Sequence, residues 1–293
     1  MAEISAKLVK ELRDLTGAGI MDCKRALTET DGDIKKAIDV LREKGVAKAA
    51  KKSGRIAAEG LAEVKVVGDK AVALEVNSET DFVAQNAEFK ELLNTLADHL
   101  LKEEPSDVET ALSQSLASGE TISEHITAAI AKIGEKISLR RFTVLHKSEG
   151  EVFGAYLHMG GRIAALVKLK GGDADTAKDV AMHVAAIKPR YLKEEDIPAD
   201  VVAHEKEVLS KEALGEGKPA NIVEKMVVGR LKKFFKEICL VDQPFVKDGD
   251  LTVSEFLKSK NAEVDEFVRY EVGEGIEKKT ENFADEVKAQ MKQ

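Results

Sequence analysis

Glycines, histidines and cysteines are the residues of this chain whose types and spacing could do chemistry. Gly17 and Gly19 in "TGAGI" precede a helical pattern, where backbone N–H groups can approach a phosphate closely. No strand leads into them and no Lys-Ser or Lys-Thr pair closes the loop, so a helix-to-helix turn is the better reading. Gly160 and Gly161 read likewise as a hairpin turn. The 6 histidines are spread over different elements and lack the i, i+4 spacing that sets two metal ligands on one helix face. His183 in "AMHVAA" falls one residue off its helical stripe, and for it, as for His158, a packed or surface imidazole is the ordinary reading. Cys23 and Cys239 are far apart and form no C-x-x-C pair, which fits a reducing compartment and indicates neither a zinc site nor a disulfide framework. No serine elbow, paired-carboxylate signature or activated-cysteine motif is present. The expectation is a protein that binds rather than catalyses, with no catalytic residue, metal or cofactor.

One further stretch stands out. In "NSETDFVAQN", residues 77–86, an aromatic ring sits beside an acid in a polar turn. Phe82 lies seven residues before Phe89, so a helix continuous through both would put both rings on one buried stripe. Asn86 is a natural N-cap for the following helix, and a helix that starts there leaves 80–85 as a separate turn. Asp81 could serve simply as a cap or turn residue. The residues alone leave both arrangements open.

The elements that must position these residues follow from periodicity. "ISAKLVKELRDLTGAGIMDCKRALTETDGDIKKAIDVLREKG" has helix-period apolar residues in three blocks, with Ser5 and Asp33 as N-caps. Leu8, Leu12, Leu15, Ala26, Leu27, Ile34, Ile38 and Leu41 are the expected core of a three-helix domain. From Leu61 the period becomes two: "LAEVKVV", a Gly68-Asp69 turn and "AVALEVN" form a hairpin, then Phe89, Leu92, Leu93, Leu96, Ala97 and Leu100 a helix. The order recurs in "VFGAYLHM", "RIAALVKLK" and a helix through Ala177, Val180, Ala181 and Val184, as a diverged duplication would. Between the two copies lie a helix opened by the capping box "TISE" and a strand "ISLRRFTVL". Two helical segments joined by "GEGKP" read as an antiparallel hairpin, and a strand "EVDEFVRYEV" and a last helix with Phe283, Val287 and Met291 close the chain. The fold class is therefore α+β, with two related subdomains of antiparallel sheet and packed helix. The expected domains are residues 1–54, 55–146, 147–275 with the helical hairpin at 198–238, and a C-terminal module at 276–293.

Composition narrows the function classes. The chain has 293 residues, 43% hydrophobic and 33% charged, enough for more than one core. An aromatic share of 4% without Trp, and a net charge of −8, disfavour base stacking and sequence-independent binding to a phosphate backbone. Residues 1–56 hold 13 Lys and Arg against 9 Asp and Glu, a net +4, so the remainder carries −12. That basic end could face an acidic partner. No apolar run has the length of a signal peptide or a membrane span, so a cytoplasmic protein without membrane contact is expected.

"LRDLTGAGIMDCKRAL" at 12–27 and "NSETDFVAQN" together closely resemble the translation elongation factor Ts family of bacteria. The order of parts also agrees from end to end with that family's ubiquitin-associated-like domain, paired subdomains, helical hairpin and C-terminal module. The resemblance implies a role in protein biosynthesis, as a guanine nucleotide exchange factor that binds elongation factor Tu with GDP and lets GDP leave. It implies that Thr80, Asp81, Phe82 and Val83 press on the partner and dislocate its magnesium, and that Arg13, Ile20, Met21, Lys24 and His158 are further contact candidates. The last helix is expected to add contacts, and self-association through the core is a further expectation. Ser78 stands where the family commonly has Cys, and Gln85 where a basic residue is more typical, which touches a local charge contact. Two other readings use the same residues: a non-enzymatic scaffold whose three-helix domain binds ubiquitin-like or helical ligands, and an RNA-binding translation protein using "AKAAKKSGR".

Overall fold

The computed structural model describes residues 4–217 and 219–277. Its first elements are three helices, α1 (Ala6–Thr16), α2 (Ile20–Glu29) and α3 (Ile34–Lys52). Ser5 caps α1 by accepting the Leu8 N–H, and Asp33 caps α3 by accepting that of Lys36. α1 stops at Gly17, whose φ of +63° a side chain would resist, so a helix-to-helix turn accounts for this glycine. Val9, Leu12, Cys23, Ala26, Leu27 and Ala37 are buried together, and Leu8, Ile34, Ile38 and Leu41 pack around them. Leu15 is a correction to the expected core: it is 63% exposed. At about 100° per residue the buried stripe of α1 is centred between Val9 and Leu12, and Leu15 lies roughly 90° off it.

Strands β1 (Glu59–Val67) and β2 (Lys70–Ser78) flank the Gly68-Asp69 turn, and β3 (Ser138–His146) joins them in the order β1-β2-β3. Between β2 and β3 run α4 (Asp81–Ala84), α5 (Ala87–Glu103), α6 (Val108–Ser113) and α7 (Ile122–Ile133). α5 buries the expected stripe, Phe89 through Leu100. α7 opens with the expected capping box, Thr121 and Glu124 exchanging side-chain-to-backbone bonds. α3 lies against α7, with the Arg42–Glu124 ion pair between them. On β2 the carboxylate of Glu75 is fully buried and takes Arg140 Nη1 at 2.9 Å, Arg141 Nε at 2.6 Å, Asn77 Nδ2 at 3.0 Å and the Gly273 N–H at 2.8 Å. Four donors on one buried carboxylate satisfy a charge that would otherwise be costly to bury.

The second hairpin is β4 (Glu151–His158) and β5 (Ile163–Gly171), antiparallel from Glu151 opposite Lys170 to His158 opposite Ile163. α8 (Ala174–Ile187) packs on it so closely that a Cβ at Gly154 would sit 2.1 Å from the Ala177 backbone. Val167, Leu169, Ala177, Val180, Ala181 and Val184 form that core. α9 (Ala199–Gly215) and α10 (Ala220–Ile238) make the expected helical hairpin, held by Leu209, Ala213, Val223 and Val227. Then come β6 (Pro244–Phe245), β7 (Asp248–Thr252), α11 (Val253–Ser259) and β8 (Ala262–Glu271), the last completing the order β4-β5-β8. The architecture is α+β with small antiparallel sheets, each hairpin followed by a helix. The expected last helix, with Phe283, Val287 and Met291, lies outside the described residues.

Internal contacts divide the chain into two compact units. One takes the described residues up to Ala62, Leu74–Phe142 and those from Glu271 on; the other takes Glu63–Ala73 and Thr143–Tyr270.

Candidate functional site

The turn after β2 is built by hydrogen bonds that its own sequence supplies only in part. Thr80 caps α4: its hydroxyl accepts the Val83 N–H at 3.3 Å while donating to Glu135 Oε1 at 2.6 Å. Glu135 Oε2 accepts the backbone N–H groups of Glu79 and Thr80, at 3.0 and 2.9 Å. In return the carboxylate of Glu79 accepts the Lys136 N–H at 2.6 Å and faces Arg55 Nη1 at 3.2 Å. Ser78 donates to the Thr80 carbonyl at 2.9 Å. α4 is a single helical turn whose one buried side chain is Ala84. It ends at Gln85, and Asn86 caps the separate α5 by accepting the Glu88 N–H at 2.8 Å.

Phe82 is consequently off the stripe that holds Phe89. Its ring is 85% exposed, whereas Phe89 is completely buried. Of the two arrangements open to the residues, the structure has the one with a separate turn. Asp81 beside the ring is exposed as well, and Val83 is half-buried. The turn thus holds an acid and an aromatic outward on a mount tied to the corner between α7 and β3. Gln85, in place of a basic residue, accepts a hydrogen bond from Lys90 Nζ at 3.1 Å, so a cation stands at this position from the next helix.

A model of the elongation factor Ts family matches residues 79–274, from the residue before the capped turn to just beyond β8. The chain belongs to the elongation factor Ts family. Members of the elongation factor Ts family are nucleotide exchange factors of protein biosynthesis that act with elongation factor Tu, rather than enzymes that make or break covalent bonds. The three-helix segment precedes the stretch matched to elongation factor Ts, so its assignment rests on its own residues.

In that segment Ile20 and Met21 are 53% and 61% exposed on the first turn of α2, with Lys24 exposed one turn on and Arg13 exposed on α1. Leu15, misplaced in the expected core, adds a third exposed apolar side chain near the α1–α2 turn. Asp22 between them accepts a hydrogen bond from Lys48 Nζ at 2.9 Å, which holds its carboxyl below the usual carboxylate range. His158, in the other unit, is half-buried at the end of β4, with Nδ1 3.4 Å from the Tyr156 hydroxyl. The structure therefore brings Thr80, Asp81, Phe82 and Val83 into one turn and groups Arg13, Ile20, Met21 and Lys24 around another, both in the first unit, while His158 belongs to a hairpin of the second.

Other titratable groups are bound into the fold of this elongation factor Ts family member. His183 is fully buried; its Nδ1 accepts the Val246 N–H at 3.1 Å, so Nε2 carries the proton and donates to Gln243 Oε1 at 2.9 Å. Burial lowers its pKa below the ordinary imidazole value. Burial also pushes the Cys239 thiol up to about 11, far from a reactive thiolate, and Cys23 is buried in the three-helix core. Among the described residues, no group of three or more His, Cys, Asp or Glu could hold a metal ion, and no helix is long and apolar enough to cross a membrane. Glu135 and Glu79, which build the turn, were missed by sequence reasoning. They meet across more than fifty residues of chain, and no local pattern announces that pairing.

Proposed function

We propose that this chain is a guanine nucleotide exchange factor that binds elongation factor Tu loaded with GDP, in the cytoplasm, and promotes GDP release by disturbing the partner's magnesium and phosphate site. The observation that carries this reading is Phe82, a large apolar ring 85% exposed on a capped and tethered turn, where an isolated protein gains nothing from it. Phe82 is the wedge, Asp81 and Thr80 shape its approach, and Val83 flanks it. Arg13, Ile20, Met21 and Lys24 in residues 1–54, and His158 on the second hairpin, supply further contacts.

Magnitudes divide the labour. Magnesium demands near-octahedral geometry, so a small shift of the elements around it weakens a shell shared by protein and GDP phosphates. Burying one Phe contributes about 1.5–3 kcal/mol, and about 1.4 kcal/mol is tenfold in rate or affinity. One ring is therefore worth roughly ten- to a hundredfold. The rest must come from a broad interface that prefers the nucleotide-free partner, and linkage then requires GDP to weaken this chain's binding by the same factor.

The test is fluorescence of a labelled GDP bound to elongation factor Tu, with and without this chain. Accelerated release supports exchange. Release at the unassisted rate, over a concentration range where the two proteins bind, refutes it and favours a scaffold.

A further inference from the structure

We infer that Glu135 is a positioning residue for exchange, one that holds the Phe82 turn in its working conformation without touching the partner's nucleotide. The inference rests on the reading of Phe82 as the wedge. A single helical turn is unstable by itself, because nucleation fixes several dihedrals for one hydrogen bond. α4 has four residues and buries only Ala84, yet it carries a ring that is 85% exposed. Its rigidity must come from outside.

One carboxylate supplies most of it. Glu135 accepts three hydrogen bonds from Glu79 and Thr80, within 2.6–3.0 Å, and the Thr80 hydroxyl it fixes is the same one that caps α4. Bonds to an ionised acceptor are the stronger kind. Glu135 is itself well mounted. It follows Gly134, the C-cap of α7, whose carbonyl accepts Lys52 Nζ at 2.6 Å. It precedes Lys136, whose N–H reaches back to Glu79 at 2.6 Å and whose Nζ donates to the Arg55 carbonyl at 2.9 Å. Each of two acidic residues thus receives the backbone of the other's segment. Without Glu135 the turn frays, and binding energy goes into ordering it instead of into displacing the partner's elements.

The test is a double-mutant cycle between Glu135→Ala and Phe82→Ala in the full chain, read as the limiting rate of labelled-GDP release from elongation factor Tu and as the half-saturating concentration. Reordering a loosened segment consumes side-chain entropy that a turn already held by Glu135 does not have to lose, so Glu135→Ala is expected to lower the limiting rate about two- to thirteenfold with little change in half-saturation. In the Phe82→Ala background it is expected to change nothing further. Glu135→Gln keeps an acceptor for the two backbone donors and should recover part of the rate; it carries the same cycle if Glu135→Ala does not fold. If Phe82→Ala slows release while Glu135→Ala leaves the limiting rate alone, or multiplies fully with Phe82→Ala, positioning by Glu135 is overturned and the wedge stands. If Phe82→Ala itself leaves the limiting rate unchanged, the wedge falls and the role of Glu135 with it.

Discussion

Two phenylalanines seven residues apart offer a contrast that needs no partner. Phe89 is completely buried among Leu92, Leu93 and Leu96 of α5, while Phe82 is 85% exposed one turn before that helix begins. Phe89→Ala removes a packed ring and leaves a cavity, a loss of about 3–5 kcal/mol. For Phe82→Ala the ring has little burial to lose: a small fraction of the 1.5–3 kcal/mol of a fully buried ring is under about 0.5 kcal/mol. Alanine also has the better helix propensity by several tenths of a kcal/mol, which offsets part of that in α4. The expected result is a marked drop in urea midpoint for Phe89→Ala and an unchanged midpoint, within error, for Phe82→Ala. Far-UV circular dichroism is the suitable signal, since the chain has no Trp. Two compact units can unfold separately, so the transition to compare is the one that Phe89→Ala moves. A Phe82→Ala shift as large as that of Phe89→Ala would falsify the display of the ring, and with it the wedge.

Two further outcomes are expected. Met21→Asp, on a side chain 61% exposed, should weaken binding to nucleotide-free elongation factor Tu about tenfold while leaving the limiting release rate and the melting temperature near those of the parent; equal dissociation constants by calorimetry would remove α2 from the interface. His183 makes stability pH-dependent in a definite direction. Burial lowers its folded pKa below the unfolded value near 6.5, and a proton on Nδ1 would meet the Val246 N–H, so the unfolded chain binds the proton more readily. The stability it contributes is fully present above about pH 6.5 and is lost as pH falls toward the folded pKa, with a slope of up to about 1.4 kcal/mol per pH unit. Urea midpoints should therefore fall between pH 7.5 and 5.5, and His183→Gln should flatten that slope; identical slopes would show that other groups carry it.

Much of this fold was legible because its long elements repeat cleanly. The stripe from Phe89 to Leu100, the capping box at Thr121 and Glu124, and the two hairpins with Gly at their turns are local patterns, and local physics was enough to place them. Leu15 fits the helical spacing but not the core, because a three- or four-residue spacing fits either edge of a stripe, and only the packing of α1 against its neighbours shows where the centre lies. The short elements α6, β6, β7 and α11 are not legible in the sequence, since two to seven residues hold too little periodicity. Phe82 was the hardest case. Its spacing from Phe89 argues for the core, and the opposing signal is a pair of caps, of which Asn86 is plain in the sequence and Thr80 shows only in the structure. His183 could be read as packed or exposed, and only its partner Gln243, sixty residues on, decides that it is packed.

The most direct measurement is stopped-flow release of labelled GDP from elongation factor Tu at saturating concentrations of this chain, wild type against Phe82→Ala, with the affinity of each for the nucleotide-free partner measured alongside. If the exposed ring is the lever, the limiting rate should fall by roughly ten- to a hundredfold while that affinity stays within a few-fold. An unchanged limiting rate, with both proteins fully bound, would contradict it.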